Sequence, residues 1–175
     1  MKRLIIALAF VAMTGSARAE VTDKSAAGFE ITQKATIAAP ADKVYAALLR
    51  PGAWWNSQHS WSGDAKNLTM DLAKGCFCET LPKGFARHMT ITFDDGGRTL
   101  RLAGALGPLQ LTGANGHLAF TLKETYGKTD LTLTYDVGGY AKGGLAETWA
   151  APVDGVLGEA VTRLKTYAET GKPTS

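Results

Sequence analysis

The segment Gly75-Cys76-Phe77-Cys78-Glu79-Thr80-Leu81 gathers more chemistry than any other stretch of the 175-residue chain. On a strand, Cys76 and Cys78 share one face, and Phe77, Glu79 and Leu81 share the other. The next apolar alternation, through Met89 and Ile91, makes this the first arm of a hairpin with two competing registers. If Cys78 faces Met89, the thiols line the interior and Glu79 meets His88 on the outer side. If Glu79 faces Met89, the carboxylate is inside and Arg87 shares its face. A slip of one residue exchanges every side chain between faces, and both registers stay open. In the first, the cysteines are small buried hydrophobes or a disulfide near the upper limit of bridging distance. In the second, burial raises the Glu79 carboxyl unless Arg87 pairs with it. That pair could anchor a polar ligand head or work as acid or base; the alternative is a solvated strand charge. Structural zinc wants four convergent ligands, so no metal is expected.

Trp54, Trp55 and Trp61, with His59 among them, form a second cluster. Large flat side chains pave one end of a ligand pocket or pack as core beneath a long loop. His59 is the second candidate acid–base group beside Glu79, although a lone histidine in a Ser/Asn-rich loop is more often exposed. His117 alternates outward from Leu118 and Phe120, so it reads as surface.

Strands must position these groups, because alternation at period two dominates the chain. Phe29 to Ile37 alternates, as do Leu68–Leu72, Met89–Phe93, Leu100–Leu102, Leu118–Leu122 and Leu131–Val137. Lys74-Gly75, Pro82-Lys83-Gly84, Asp94 to Gly97 and Tyr126 to Lys128 supply the turns between them. Half-buried strands joined by short hairpins imply an antiparallel sheet with one covered face. Pro40 opens a short helix with Val44, Ala47 and Leu48 on one stripe, which Arg50-Pro51-Gly52 stops. Val153, Val156, Leu157, Ala160, Val161, Leu164 and Tyr167 recur at helical spacing up to a Gly171 cap. That terminal helix is the only element large enough to cover the sheet, and one helix leaves room on a wide concave face.

Lys2 and Arg3, the uncharged run Leu4 to Met13, and Ala17-Arg18-Ala19 read as a secretory leader over residues 1–19. The run is far short of the roughly 20 residues a bilayer span needs, so no stable membrane anchor is expected. Cleavage after Ala19 and a periplasmic location follow as expectations. The leader removes three bases and no acid, leaving 16 Lys and Arg against 16 acids. A near-neutral chain with no basic run is a poor nucleic-acid binder. One domain is expected over residues 28–171, with loose segments at 20–27 and 172–175. Two cysteines make no disulfide scaffold.

The phrase Ile37-Ala38-Ala39-Pro40-Ala41-Asp42-Lys43-Val44-Tyr45-Ala46-Ala47-Leu48, followed by Pro51-Gly52-Ala53-Trp54-Trp55, resembles the opening of the START-like (SRPBCC) superfamily. The resemblance spans the whole domain and implies an α+β helix-grip fold: about seven curved antiparallel strands around a long C-terminal helix, with two short helices after the first strand. In relatives, Leu81-Pro82-Lys83-Gly84 corresponds to a mobile gate, and Gly104 to Gly113 to a second mouth loop. The family hosts carriers, polyketide cyclases and hormone-binding proteins, so the fold does not choose among them. The expectation is a periplasmic binding or carrier protein for a small hydrophobic ligand such as a lipid, isoprenoid or aromatic metabolite. A cyclase or dehydratase using Glu79 or His59 is the alternative. The candidate ligand contacts are Trp54, Trp55, Trp61, Cys76, Cys78, Glu79, Arg87, Met89, Leu109 and Trp149; no cofactor is expected.

Overall fold

The computed structural model describes residues 18–173, with side chains from Val21 onward. Eight antiparallel strands form one sheet in the order β1-β2-β8-β7-β6-β5-β4-β3. They are β1 (Arg18–Ser25), β2 (Gly28–Ile37), β3 (Leu68–Asp71), β4 (Cys76–Leu81), β5 (Gly84–Asp94), β6 (Thr99–Gly104), β7 (Gly113–Thr125) and β8 (Lys128–Tyr140). Helix α1 (Ala41–Leu48) and 3₁₀ turns at Pro51–Ala53, Ser57–His59 and Ala65–Asn67 join β2 to β3. A further 3₁₀ turn, Gly107–Leu111, joins β6 to β7. Helix α2 (Leu145–Thr170) closes the chain across the concave face.

This is the helix-grip architecture, with one strand more than the alternation implied. The extra strand is β1, where a loose segment over 20–27 was expected. Polar residues there do not alternate, but β2 offers a free edge, and Val21 to Ser25 pair along it with a bulge. The leader reading falls mostly outside the described residues, as do Thr174 and Ser175.

The interior follows the alternation. Ile31, Ile37, Leu100, Leu102, Leu131, Leu133 and Tyr135 point inward and are almost fully buried. From α2, Leu157, Ala160, Val161, Leu164 and Ala168 meet them along one stripe, and the alanines let the helix lie close to the strands. The helix begins eight residues before Val153, because the stripe continues back through Ala150, Ala146 and Leu145. Polar contacts also fix its position. Gln33 donates to Asp154 Oδ1 at 2.5 Å, Arg163 Nε donates to the Trp54 carbonyl at 2.6 Å, and Glu169 accepts from the Ala38 amide at 2.7 Å.

Two bulges on β5 decide which side chains reach the interior. Phe77 faces Met89, but Cys78 faces Arg87, so His88 is an extra residue on that strand. A second bulge between Ile91 and Phe93 reverses the parity again. Phe93, expected inside with Met89 and Ile91, therefore points outward beneath the Arg101 guanidinium, 4.8 Å from its ring centroid. Asp94 turns instead toward Tyr45, whose hydroxyl donates to it.

Candidate functional site

A cavity of about 260 Å³ opens between α2, the residues after α1, the β4–β5 hairpin and the Gly107–Leu111 turn. Its walls are largely apolar: Trp55, Trp61, Phe77, Leu109, Trp149 and Val156 set most of the surface. Gln58, His59, Ser60 and His88 supply the polar atoms. One helix laid across a wide concave sheet leaves this space at its N-terminal half. There Pro152, Val153 and Val156 face the cavity rather than the strands.

The bulge on β5 builds the polar wall. An inserted residue lets two consecutive side chains share a face, and here both His88 and Met89 are buried. His88 Nε2 lies 2.9 Å from Glu79 Oε2 on β4. Glu79 Oε2 also accepts the Trp61 amide at 3.0 Å, and Oε1 the Ser62 amide at 2.5 Å. Burial pushes the Glu79 carboxyl up, but the hydrogen bonds from Ser62, Trp61 and His88 outweigh it and hold the group below the ordinary carboxylate range. An ionised carboxylate only accepts, so His88 Nε2 carries the proton. The other ring nitrogen, Nδ1, makes no hydrogen bond among the described residues. The ring rests on Phe77, with centroids 5.1 Å apart.

Neither sequence register describes this hairpin. Glu79 is on the inner face, as in the second, yet its partner is His88. Arg87 lies across from Cys78 on the outer face and is exposed, so it neither pairs with Glu79 nor reaches the cavity. Cys76 and Cys78 are also on the outer face, joined as a disulfide with Cα atoms 5.5 Å apart. They do not line the interior, because Phe77 and Glu79 take that side. His88 was the residue missed, although the turn held a sign of it. A two-residue turn at Pro82-Lys83 sets Leu81 opposite Gly84, which makes even-numbered β5 residues inward, whereas Met89 and Ile91 need the odd ones. Only a bulge satisfies both.

The remaining candidates divide. Trp55 lines the cavity and donates from Nε1 to the His59 carbonyl at 3.0 Å. Trp61, Leu109 and Trp149 line it as well. Trp54 does not: it is core, 2 % exposed, and its Nε1 donates to the Ala47 carbonyl. Met89 is buried beside the cavity without lining it. His59 lines the mouth, its Nε2 3.1 Å from Glu159 Oε2 on α2. Asn56 donates to the other Glu159 oxygen at 2.7 Å, so this pair fastens the Trp-rich loop to the helix.

Tyr135 holds the opposite rim. Its hydroxyl donates to the Gly104 carbonyl at 3.1 Å and accepts the Leu106 amide at 3.2 Å. Burial is the main cause that raises the phenol to about 12, so it stays neutral. Gly116 makes room for its ring, since a Cβ there would sit 2.6 Å from Tyr135 Cε2. Tyr135→Phe is expected to cost about 1–2 kcal/mol in urea unfolding through the two lost hydrogen bonds. It should also speed amide exchange at Leu106. Unchanged exchange there would show that the loop is held by other contacts.

The profile of the family described as "polyketide cyclase / dehydrase and lipid transport" matches residues 28–169. A comparison with curated proteins yields no match. Among solved structures, CalU16 from Micromonospora echinospora superposes with a TM-score of 0.55 at 16% identity, covering 91% of this chain and 83% of its own. A conserved protein from Geobacillus kaustophilus gives 0.56 at 12% identity, covering 79% and 94%. At such identities the likeness is one of fold.

Proposed function

The chain belongs to the polyketide cyclase / dehydrase and lipid transport family, and from that premise we propose that it binds a small, mainly apolar molecule by one hydroxyl or phenol. The observation that carries this reading is His88, held by the buried Glu79 carboxylate behind it, in the wall of a largely apolar cavity. In this reading His88 Nδ1 accepts from the ligand while Glu79 holds Nε2, and the ligand buries its remainder against tryptophan. A volume of about 260 Å³ suits one or two fused rings or a short isoprenoid better than a two-chain lipid. The leader-like residues 1–19 support a periplasmic carrier.

Native mass spectrometry of protein taken from its own host tests whether a non-covalent adduct is present and is lost on denaturation. Tryptophan quenching then tests the mode of binding. 2-Naphthol should bind about tenfold more tightly than naphthalene, in line with one added hydrogen bond. His88→Phe should erase that preference while keeping naphthalene affinity. Equal affinities in the wild type would sink the assignment.

Acid–base turnover is the second reading, because a histidine oriented by a carboxylate is the arrangement of a general base. A ligand whose mass changes on incubation with wild type but not with His88→Phe would put it first.

A further inference from the structure

The disulfide on the outer face takes no part in the cavity and does little for the fold. It closes a loop of three residues, which removes little entropy from the unfolded chain. Its two ends are already held by strand pairing: Cys76 lies between Asp71 and Thr90, and Cys78 between Thr69 and Arg87. The two cysteines also differ in exposure. Cys76 is 2 % exposed, whereas Cys78 is only half-buried. Across the strand pair from Cys78 stands Arg87, exposed, its guanidinium without an ion pair or hydrogen bond among the described residues. Asp71 flanks Cys76 instead, and it is paired with Lys74 at 3.2 Å.

We propose that Cys76–Cys78 is a thiol–disulfide exchange centre for acidic low-molecular-weight thiols of the glutathione type, with Cys78 as the sulfur attacked. The incoming thiolate bonds to Cys78 Sγ, the Cys76–Cys78 bond breaks, and Cys76 leaves as a thiolate that takes up a proton. A second thiolate attacks the small-molecule sulfur of the mixed disulfide and releases Cys78. The net exchange reduces the protein by two electrons and oxidises two thiols to one disulfide. The reverse course starts from a Cys78 thiolate beside the Arg87 cation, with Cys76 as the buried resolving thiol. Arg87 gives the site its preference, because a guanidinium binds the carboxylates of such a thiol and a neutral thiol has none to offer.

The test treats the folded, oxidised full chain with reduced glutathione, quenches with acid, alkylates, and maps adducts by mass. The expected result is glutathione on Cys78, followed by two alkylated cysteines, with near-ultraviolet circular dichroism unchanged. With glutathione disulfide, Cys76→Ser should accumulate the Cys78 adduct, while Cys78→Ser should modify Cys76 at least about tenfold more slowly. Arg87→Ala should slow glutathione several-fold and leave 2-mercaptoethanol unaffected. A bridge that survives glutathione until the protein unfolds overturns the proposal. So does a Cys76 adduct formed as fast as the Cys78 one, and an Arg87→Ala effect equal for both thiols overturns the substrate class.

Discussion

Glu79→Leu is expected to lower the unfolding free energy by about 3 kcal/mol, since removing one partner of a buried, hydrogen-bonded charge strands the others. The Trp61 and Ser62 amides lose their acceptor, and His88 Nε2 is left facing hydrocarbon. In a domain of this size that corresponds to a fall in Tm of roughly 10 °C. The pH dependence has a defined sign. Hydrogen bonding holds the folded carboxyl below its ordinary value of 4.5, so its stabilisation is complete above that value and fades as pH falls through the folded one. Urea unfolding between neutral and acid pH should thus show a steeper loss below about pH 4.5 in wild type than in Glu79→Leu. Parallel curves would mean that the carboxylate is not the group that organises this wall.

Val156→Trp should abolish binding in the cavity while the protein stays folded. Val156 is half-buried on α2, on the stripe facing the cavity rather than the sheet, so an indole there projects into empty space. It would occupy much of the approximately 260 Å³ and cover the His88 wall. The expected loss of 2-naphthol affinity is at least a hundredfold, or about 2.7 kcal/mol. Stability should change little or rise, because filling a void restores contacts that its lining lacks. Retained affinity would place the ligand elsewhere on the molecule.

These two substitutions differ in how far the sequence pointed to them. The apolar stripe through Val153, Val156 and Leu157 is plain in the spacing, and so is its role against the sheet. That its first turns line a cavity while later turns pack on strands depends on where the helix crosses the concave face. Glu79 was recognisable as a carboxylate of ambiguous face. His88 was not recognisable, because strict alternation puts it outside in either register. Arg87, the partner that charge alone suggests, ends up on the far side of the sheet.

What the sequence determined by itself is the pattern set by local periodicity: strands at period two, a short helix after Pro40, and a long amphipathic terminal helix. From these came an antiparallel sheet covered by one terminal helix; the helix-grip class itself followed from the resemblance carried by Ile37 to Trp55. Such features depend on neighbours along the chain, where side-chain direction follows directly from backbone geometry. Tertiary structure decided the rest. The edge strand β1 pairs because β2 leaves an edge open, not because its own residues alternate. Two bulges on β5 carry Phe93 out and His88 in. A bulge meets conflicting demands from a turn at one end of a hairpin and a core at the other, and it shows only when both partner strands are in place.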